Sequence, residues 1–228
     1  MICLAFEFTS RRRSVAVGRD GVPLAESVQE TGRETPVFAL VDRALQTAGV
    51  ERGEVGRLAL DIGPGSYTGI RIAISTVQGW ALGTGIPVVP MGSFEILRRM
   101  AGGLDRPLPW TFAVDAQRRE FAVRTWNGAD WDGNVRLVPD TELVRWIREG
   151  RTVLGPDLDG CFGTLPESGP EVLAGIAGTR LQPAATELIR LATDAVPPLP
   201  PETLAPVYLR EAAFVKAPPA RPIPGDPT

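Results

Sequence analysis

A single glycine-rich stretch organises this chain: Asp61-Ile62-Gly63-Pro64-Gly65-Ser66-Tyr67-Thr68-Gly69-Ile70-Arg71. It places three glycines and a proline within seven residues, directly after an apolar run over residues 55–62. That run predicts a buried strand, and the residues after the turn predict an amphipathic helix over residues 68–83, with Thr68 as N-cap or first-turn residue. Such a turn brings backbone close to a phosphate, another helix or a partner chain.

The residues after the turn exclude a phosphate loop of the Walker type. That loop needs a second glycine five positions after the first, followed by Lys and then Ser or Thr. The fifth residue after Gly63 is Thr68, and the only lysine of the chain is Lys216. The simplest alternative is a tight turn whose glycines serve local geometry alone.

The predicted helix has two faces of different character. One is apolar and suited to packing on a sheet, and it comprises Ile70, Ile74, Val77 and Ala81. The other is small and weakly polar, and it comprises Ile72, Ser75, Thr76, Gly79 and Gly83. Glycine costs about 1 kcal/mol relative to alanine inside a helix, so two glycines on one face indicate close approach by another backbone. Packing against the helix of residues 36–48 and a subunit interface both remain open.

The composition is that of an ordinary globular protein, with 228 residues of which 43% are hydrophobic and 22% charged. The net charge of -3 disfavours a long nucleic-acid track on this chain alone. No apolar run approaches the roughly 18 residues that span a bilayer. The N-terminus lacks the basic segment of a secretory signal. We therefore predict a cytoplasmic protein with no membrane partner, in which Cys3 and Cys161 are free thiols.

The order of predicted elements indicates two successive α/β units. In the first, strands are expected over residues 2–8, 14–17, 23–28, 55–62 and 86–90, with helices over residues 36–48, 68–83 and 94–100. In the second, strands are expected over residues 110–114, 120–126, 135–138 and 152–154, with helices over residues 141–148 and 183–193. Each unit opens with three strands, which favours a duplicated fold of mixed sheets. The expected boundaries are residues 1–103 and 104–215, followed by a Pro-rich tail over 216–228 that we expect to be disordered.

The glycine-rich stretch, extended to Ile72, resembles the signature of the TsaB (YeaZ) family of bacterial tRNA threonylcarbamoyladenosine biosynthesis proteins. That family has Gly-Pro-Gly-Ser-Phe-Thr-Gly followed by an aliphatic residue, Arg and Ile. Further matches in order are Leu4-Ala5-Phe6-Glu7, residues 14–17, residues 78–83, residues 113–120, Pro183-Ala184-Ala185 and Pro206-Val207-Tyr208-Leu209-Arg210. The resemblance therefore covers nearly all of residues 2–212.

The resemblance implies an actin-like ATPase fold with two related halves, each a ribonuclease-H-like unit of mixed sheet with helices on its faces. It also implies a non-catalytic subunit with no catalytic residue, metal or cofactor of its own. Such a subunit pairs with a related catalytic subunit, TsaD, which carries the ATP and metal site and transfers threonylcarbamoyl to tRNA. The ATPase TsaE joins the pair, and tRNA is reached only through the complex.

The family's first two helices are the expected pairing surface, in heterodimers and homodimers alike. The expected interface residues are Gly65, Ser66, Tyr67, Thr68, Gly69, Arg71, Ile72, Ser75, Thr76, Gly79 and Gly83, together with Phe38 and Asp42 on the first helix. Arg71 is expected to meet a carboxylate, either within the chain or on a partner.

The end of the first strand departs from the pattern of an active actin-like enzyme. Such enzymes carry Asp there, and many relatives of this chain have Asp-Thr-Ser. This chain has Glu7-Phe8-Thr9-Ser10. Magnesium demands tight octahedral geometry, so the longer carboxylate disfavours ATP binding here. Thr9 and Ser10 are the remaining candidates for a nucleotide contact.

Two other functions are alternatives to a scaffold subunit. One is an independent enzyme, either an ATP-dependent kinase or a glycoprotease, a label that this superfamily has carried. The chain contains no histidine, which excludes a metalloprotease built on a His pair and any His-based triad. The other is a homodimeric interaction module with no connection to tRNA.

Overall fold

The computed structural model describes residues 1–30, 35–162, 169–176, 180–193 and 196–209. Nine strands lie within these residues: β1 (Ile2–Glu7), β2 (Arg13–Arg19), β3 (Val22–Gln29), β4 (Val55–Asp61), β5 (Val88–Met91), β6 (Trp110–Asp115), β7 (Glu120–Trp126), β8 (Arg136–Pro139) and β9 (Thr152–Leu154). The helices are α1 (Val37–Ala48), α2 (Tyr67–Thr84), α3 (Ser93–Ala101), α4 (Asp140–Arg148), α5 (Leu158–Phe162), α6 (Pro170–Ile176) and α7 (Ala185–Leu191). The predicted Pro-rich tail lies outside the described residues.

The first sheet has five strands in the order β3-β2-β1-β4-β5. The β1–β2 and β2–β3 pairs are antiparallel, whereas β1–β4 and β4–β5 are parallel. Strand β1 occupies the centre and is buried on both faces, as its nearly continuous apolar sequence predicts. The sequence-based prediction of a mixed sheet is confirmed.

The second sheet repeats this arrangement with four strands in the order β8-β7-β6-β9. Its β6–β7 and β7–β8 pairs are antiparallel, and its β6–β9 pair is parallel. Strands β6 to β9 therefore take the same relative places as the first four strands of the chain. The duplication predicted from two openings of three strands is confirmed at the level of topology.

The helices cover the outer face of each sheet and also fill the space between the two sheets. Helices α1 and α2 bury their apolar faces with Phe6 and Phe8 on one face of the first sheet. Helix α7 packs on the opposite face, where Leu188 and Ile189 meet the small residues of β1 and β4. Helix α3 lies between the sheets, because Ile96 belongs to the core of the first sheet and Phe94 to that of the second. Helices α4, α5 and α6 cover the outer face of the second sheet.

The structure corrects or extends the sequence-based element boundaries at three places. Helix α2 begins one residue earlier than predicted, and its N-cap is Ser66, whose hydroxyl accepts the Gly69 amide at 3.3 Å. Thr68 therefore lies in the first turn. Helices α5 and α6 are short and were not predicted. Helix α7 follows the second sheet in the chain, yet it packs on the first sheet. Within the described residues, no helix combines the length and apolar character required to cross a membrane.

The glycines of the turn before α2 allow it to lie directly on the end of β1. The Ser66 amide donates to the Thr9 carbonyl at 2.7 Å. A side chain at Gly65 would overlap that same carbonyl group, and a side chain at Gly69 would overlap the carbonyl of Phe8. These two glycines are therefore explained by close approach within the chain.

Gly69→Ala tests this close approach, with Gly79→Ala in the same helix as its matched control. We expect Gly69→Ala to lower the free energy of unfolding by about 1–3 kcal/mol, because the new methyl group displaces packed backbone. Gly79 has open space around it, so alanine there should stabilise the helix by up to about 1 kcal/mol. Urea denaturation of both variants measures the difference. Equal effects would contradict the proposed contact.

Candidate partner interface

The outer face of α2 is exposed along its whole length. Helix α2 buries Ile70, Ala73, Ile74, Val77 and Ala81 against the first sheet. Exposed residues recur every three or four positions along the opposite face, and they include Tyr67, Thr68, Arg71, Ser75, Gly79, Leu82 and Gly83. This face is small and weakly polar in its middle and carries large side chains near both ends.

The two helix glycines on this face have open space beside them. A Cβ atom built at Gly79 or Gly83 would meet no atom of the described chain within 4 Å. Packing against α1 was the alternative explanation of these glycines, and it is wrong for both. These glycines destabilise the helix relative to alanine, and no contact among the described residues offsets that destabilisation.

Three of the predicted interface residues lie off this outer face. Gly69 is buried, and its close approach is to Phe8 of the same chain. Ile72 is half-buried and packs against the first core. Thr76 is also half-buried, and its hydroxyl donates to the Ile72 carbonyl at 2.8 Å. Close approach within the chain therefore explains Gly69, as it explains Gly65, and the place of both residues in a pairing surface stays a prediction.

Helix α1 adds a large apolar side chain on the same side of the sheet. Phe38 is 65% exposed, and Asp42 one turn later is exposed and paired with Arg52. Leu82 near the end of α2 is 69% exposed and was not predicted as an interface residue. Its position three residues after Gly79 is the helical spacing that would have revealed it.

The amino end of α2 carries a cluster of two tyrosines and an arginine. Tyr67 is 56% exposed and Tyr208 is 57% exposed, and their ring centroids are 6.0 Å apart. The Arg71 guanidinium lies over the Tyr67 ring, 5.2 Å from its centroid. The segment that carries Tyr208 is held by a hydrogen bond from the Val207 amide to the Ile62 carbonyl at 2.9 Å.

Two buried carboxyl groups lie beneath this end of the helix. Glu7 at the end of β1 and Asp61 at the end of β4 are both fully buried. The Thr9 amide donates to Glu7 Oε1 at 2.7 Å, and the Thr9 hydroxyl lies between Glu7 Oε1 and Asp61 Oδ2. Asp61 Oδ1 accepts the Gly63 amide and the Ser93 hydroxyl, both at 2.8 Å. Asp61 therefore anchors the glycine-rich turn.

Burial changes the protonation of both acids. It raises the pKa of Glu7 well above its usual range, and the neighbouring Asp61 raises that pKa further. Burial also raises the pKa of Asp61 to about 7, against the opposing effect of its hydrogen bonds from Gly63, Ser93 and Thr9. Glu7 Oε2 is buried and has no hydrogen-bond partner among the described residues. Burial and the neighbouring Asp61 therefore favour the protonated form of Glu7.

The two buried acids do not reach the nearby cavity that could hold a ligand. A cavity of about 380 Å³ between the halves is lined by Thr9, Ser10, Arg11 and Arg13 among others, but not by Glu7 or Asp61. The Thr9 hydroxyl is engaged by the two acids, and the Ser10 hydroxyl donates to the Arg12 carbonyl at 2.8 Å. The described residues contain no group of three or more Cys, Asp or Glu side chains placed to hold a metal. Nucleotide contact by Thr9 and Ser10 stays a prediction.

Comparison with known proteins gives matches along most of the chain. Residues 35–131 match the family model described as TsaD, tRNA N6-adenosine threonylcarbamoyltransferase. The tRNA threonylcarbamoyladenosine biosynthesis protein TsaB of Escherichia coli is 27% identical over 96% of this chain and 99% of that protein. The TsaB of Haemophilus influenzae is 31% identical over 84 residues, which span 37% of this chain and 36% of that protein.

The solved structures that resemble this chain agree with these matches. A Pseudomonas aeruginosa protein described as similar to peptidase YeaZ has a TM-score of 0.69 and 25% identity, over 92% of this chain and 99% of that chain. YeaZ from the same organism has a TM-score of 0.66 and 22% identity, over 91% and 99% of the two chains. The two sheets of matching strand order, flanked by helices, define an actin-like ATPase fold with two halves. With the matches above, the chain is similar to TsaB (YeaZ) proteins over nearly its whole length.

The buried carboxyl pair predicts that stability falls as pH rises. The folded pKa of Asp61 lies above its unfolded value, so its contribution is fully present below about pH 4 and is lost towards about pH 7. The loss in the free energy of unfolding amounts to about 1.4 kcal/mol for each unit by which the folded pKa exceeds the unfolded pKa. Asp61→Asn has no charge to gain at this position, so it should not show this part of the loss.

Urea denaturation across this pH range checks the prediction. Asp105→Asn, at an exposed carboxyl remote from the pair, is the control and should follow the wild-type profile. An Asp61→Asn profile with the wild-type slope would refute a raised pKa at Asp61.

Proposed function

We propose that this chain is a non-catalytic pairing subunit in tRNA threonylcarbamoyladenosine biosynthesis. The observation that carries the proposal is the outer face of α2, where Gly79 and Gly83 leave open space between exposed large side chains. An exposed helix keeps glycines at a cost, and close approach by another helix backbone offsets that cost. The assignment to tRNA threonylcarbamoyladenosine biosynthesis is supported by the similarity to two TsaB proteins that carry this description.

The partner we propose is a TsaD-like catalytic subunit. The TsaD family model matches residues 35–131, which include α1 and α2. Two subunits with a common fold can pair through equivalent helices about a pseudo-two-fold axis, so that each presents the same kind of surface to the other. In this arrangement the ATP and metal belong to the TsaD-like subunit, a TsaE-like ATPase joins the pair, and tRNA is bound through the complex.

A role without catalysis is supported by the chemistry of the carboxyl pair. Glu7 occupies the position at which an active actin-like enzyme holds its metal with Asp, but here the carboxyl is enclosed and its burial favours the neutral form. Its hydrogen bonds support the turn before α2 through Thr9. On this proposal, the acidic residue at the end of β1 holds the turn before the pairing helix, whereas in an active enzyme the residue at this position holds a metal.

Pairing of two copies of this chain through α1 and α2 is the second candidate function. The exposed Phe38 and Leu82 favour it, because a surface that suits a related subunit also suits a second copy. Light scattering of the isolated chain measures its mass and distinguishes a stable homodimer from a monomer.

Gly79→Leu tests the pairing surface directly. The new side chain projects into open space, so we expect the monomer to keep its thermal stability. It should obstruct the partner helix and weaken binding to a TsaD-like subunit about tenfold or more, since overpacking a close contact costs about 1–3 kcal/mol. Isothermal titration of the two purified subunits gives the affinity.

Thr141→Leu, at an exposed position of α4 in the second half, is the matched control and should bind normally. If Gly79→Leu bound with wild-type affinity, the outer face of α2 would not be the pairing surface. If the wild-type chain formed no complex with the TsaD-like subunit, the proposed function itself would fail.

A further inference from the structure

We propose that the Tyr67–Arg71–Tyr208 cluster anchors a carboxylate of the partner subunit. The inference rests on the proposed function and adds the chemistry of the contact: an Asp or Glu on the partner, next to an apolar side chain. The cluster lies at the amino end of α2, where it continues the outer face that carries Gly79 and Gly83.

Arg71 is the first reason, because no described residue of this chain neutralises its charge. Its guanidinium donates to the Tyr67 hydroxyl and lies on the Tyr67 ring, but no ion pair joins it to a carboxylate among the described residues. Other arginines of the chain do have such a partner, as Arg12 has in Glu26 at 2.7 Å and Arg119 has in Asp140 at 2.7 Å. The charge of Arg71 is therefore available to another molecule.

The second reason is that the Arg71 side chain is already held in place. Tyr67 contacts it through both its hydroxyl and the face of its ring. Binding then loses less side-chain entropy than it would with a free arginine, and the planar guanidinium can donate hydrogen bonds to both oxygens of a carboxylate. The amino end of the 18-residue helix α2 adds partial positive charge at the same place.

The third reason is the groove beside the cluster. A cavity of about 650 Å³ lies between the two halves, and its walls include Tyr67, Tyr208, Ile70, Val207 and Leu209. These walls are mainly apolar, and Asp115, Gln117 and Arg118 of the second half also line the cavity. A partner segment that places a carboxylate on Arg71 can insert a neighbouring apolar side chain here. Exposed tyrosine and arginine side chains are also the types that contribute most to binding at interfaces.

The test measures the affinity of a TsaD-like subunit for the wild-type chain, Arg71→Gln and Tyr208→Ala over a range of salt concentrations. We expect Arg71→Gln to weaken binding about 30-fold or more, because a partner carboxylate loses its charged hydrogen bonds. Its affinity should also depend less on salt than the wild-type affinity does. Tyr208→Ala should weaken binding without changing the salt dependence.

Arg19→Gln is the matched control, since Arg19 is an exposed arginine at the end of β2, at the opposite edge of the first sheet from the start of α2. It should behave as wild type. All changed positions are exposed, and thermal melts verify that each variant is folded.

The outcomes separate the two proposals. If the wild-type chain binds, Gly79→Leu does not, and Arg71→Gln retains wild-type affinity and salt dependence, the anchor is refuted while the pairing function stands. If Arg71→Gln disrupts only self-association of the chain, the carboxylate belongs to a second copy and the inference is overturned. If no wild-type complex forms, the failure is that of the proposed function.

Discussion

The hydrogen bond from the Ser66 amide to the Thr9 carbonyl is the contact on which the position of α2 depends. It brings the turn before α2 onto the end of the central strand, which Gly65 and Gly69 permit because they lack side chains. Strand and helix are then fixed relative to each other at the carboxyl edge of the sheet. The direction of α2 follows from this contact, and so does the choice of residues that its outer face presents.

Two buried acids, Glu7 and Asp61, also hold the contact between β1 and the turn before α2. In an enzyme of this fold, carboxylates at the ends of the strands face a ligand, and their charge is the reason they are there. In this chain Glu7 and Asp61 face Thr9 and the turn, inside the protein. Burial raises both pKa values, so the pair is suited to hold hydrogen bonds and poorly suited to hold a divalent cation. In this chain the strand ends therefore support the turn before α2 from inside the protein.

The sequence predicted the regular elements well and their long-range relations poorly. The apolar spacing before Gly49 and the alternation in β7 are local signals, and both elements lie where they were predicted. That Gly69 serves β1 while Gly79 faces outward depends on which backbone lies beside each of them, and helical spacing does not contain that information. Tyr208 joins Tyr67 across 141 positions, a contact that depends on the course of the whole chain. The short helices α5 and α6 were missed because so few residues show no periodicity.

The return of α7 to the first sheet has a consequence for the synthesis of the protein. Leu188 and Ile189 cover the face formed by β1 and β4, although those strands leave the ribosome more than a hundred residues earlier. During that interval the face of the first sheet opposite α1 and α2 lacks the cover of α7. The N-terminal half can therefore complete its core only after α7 has been synthesised, so its folding depends on a segment that follows the whole second sheet.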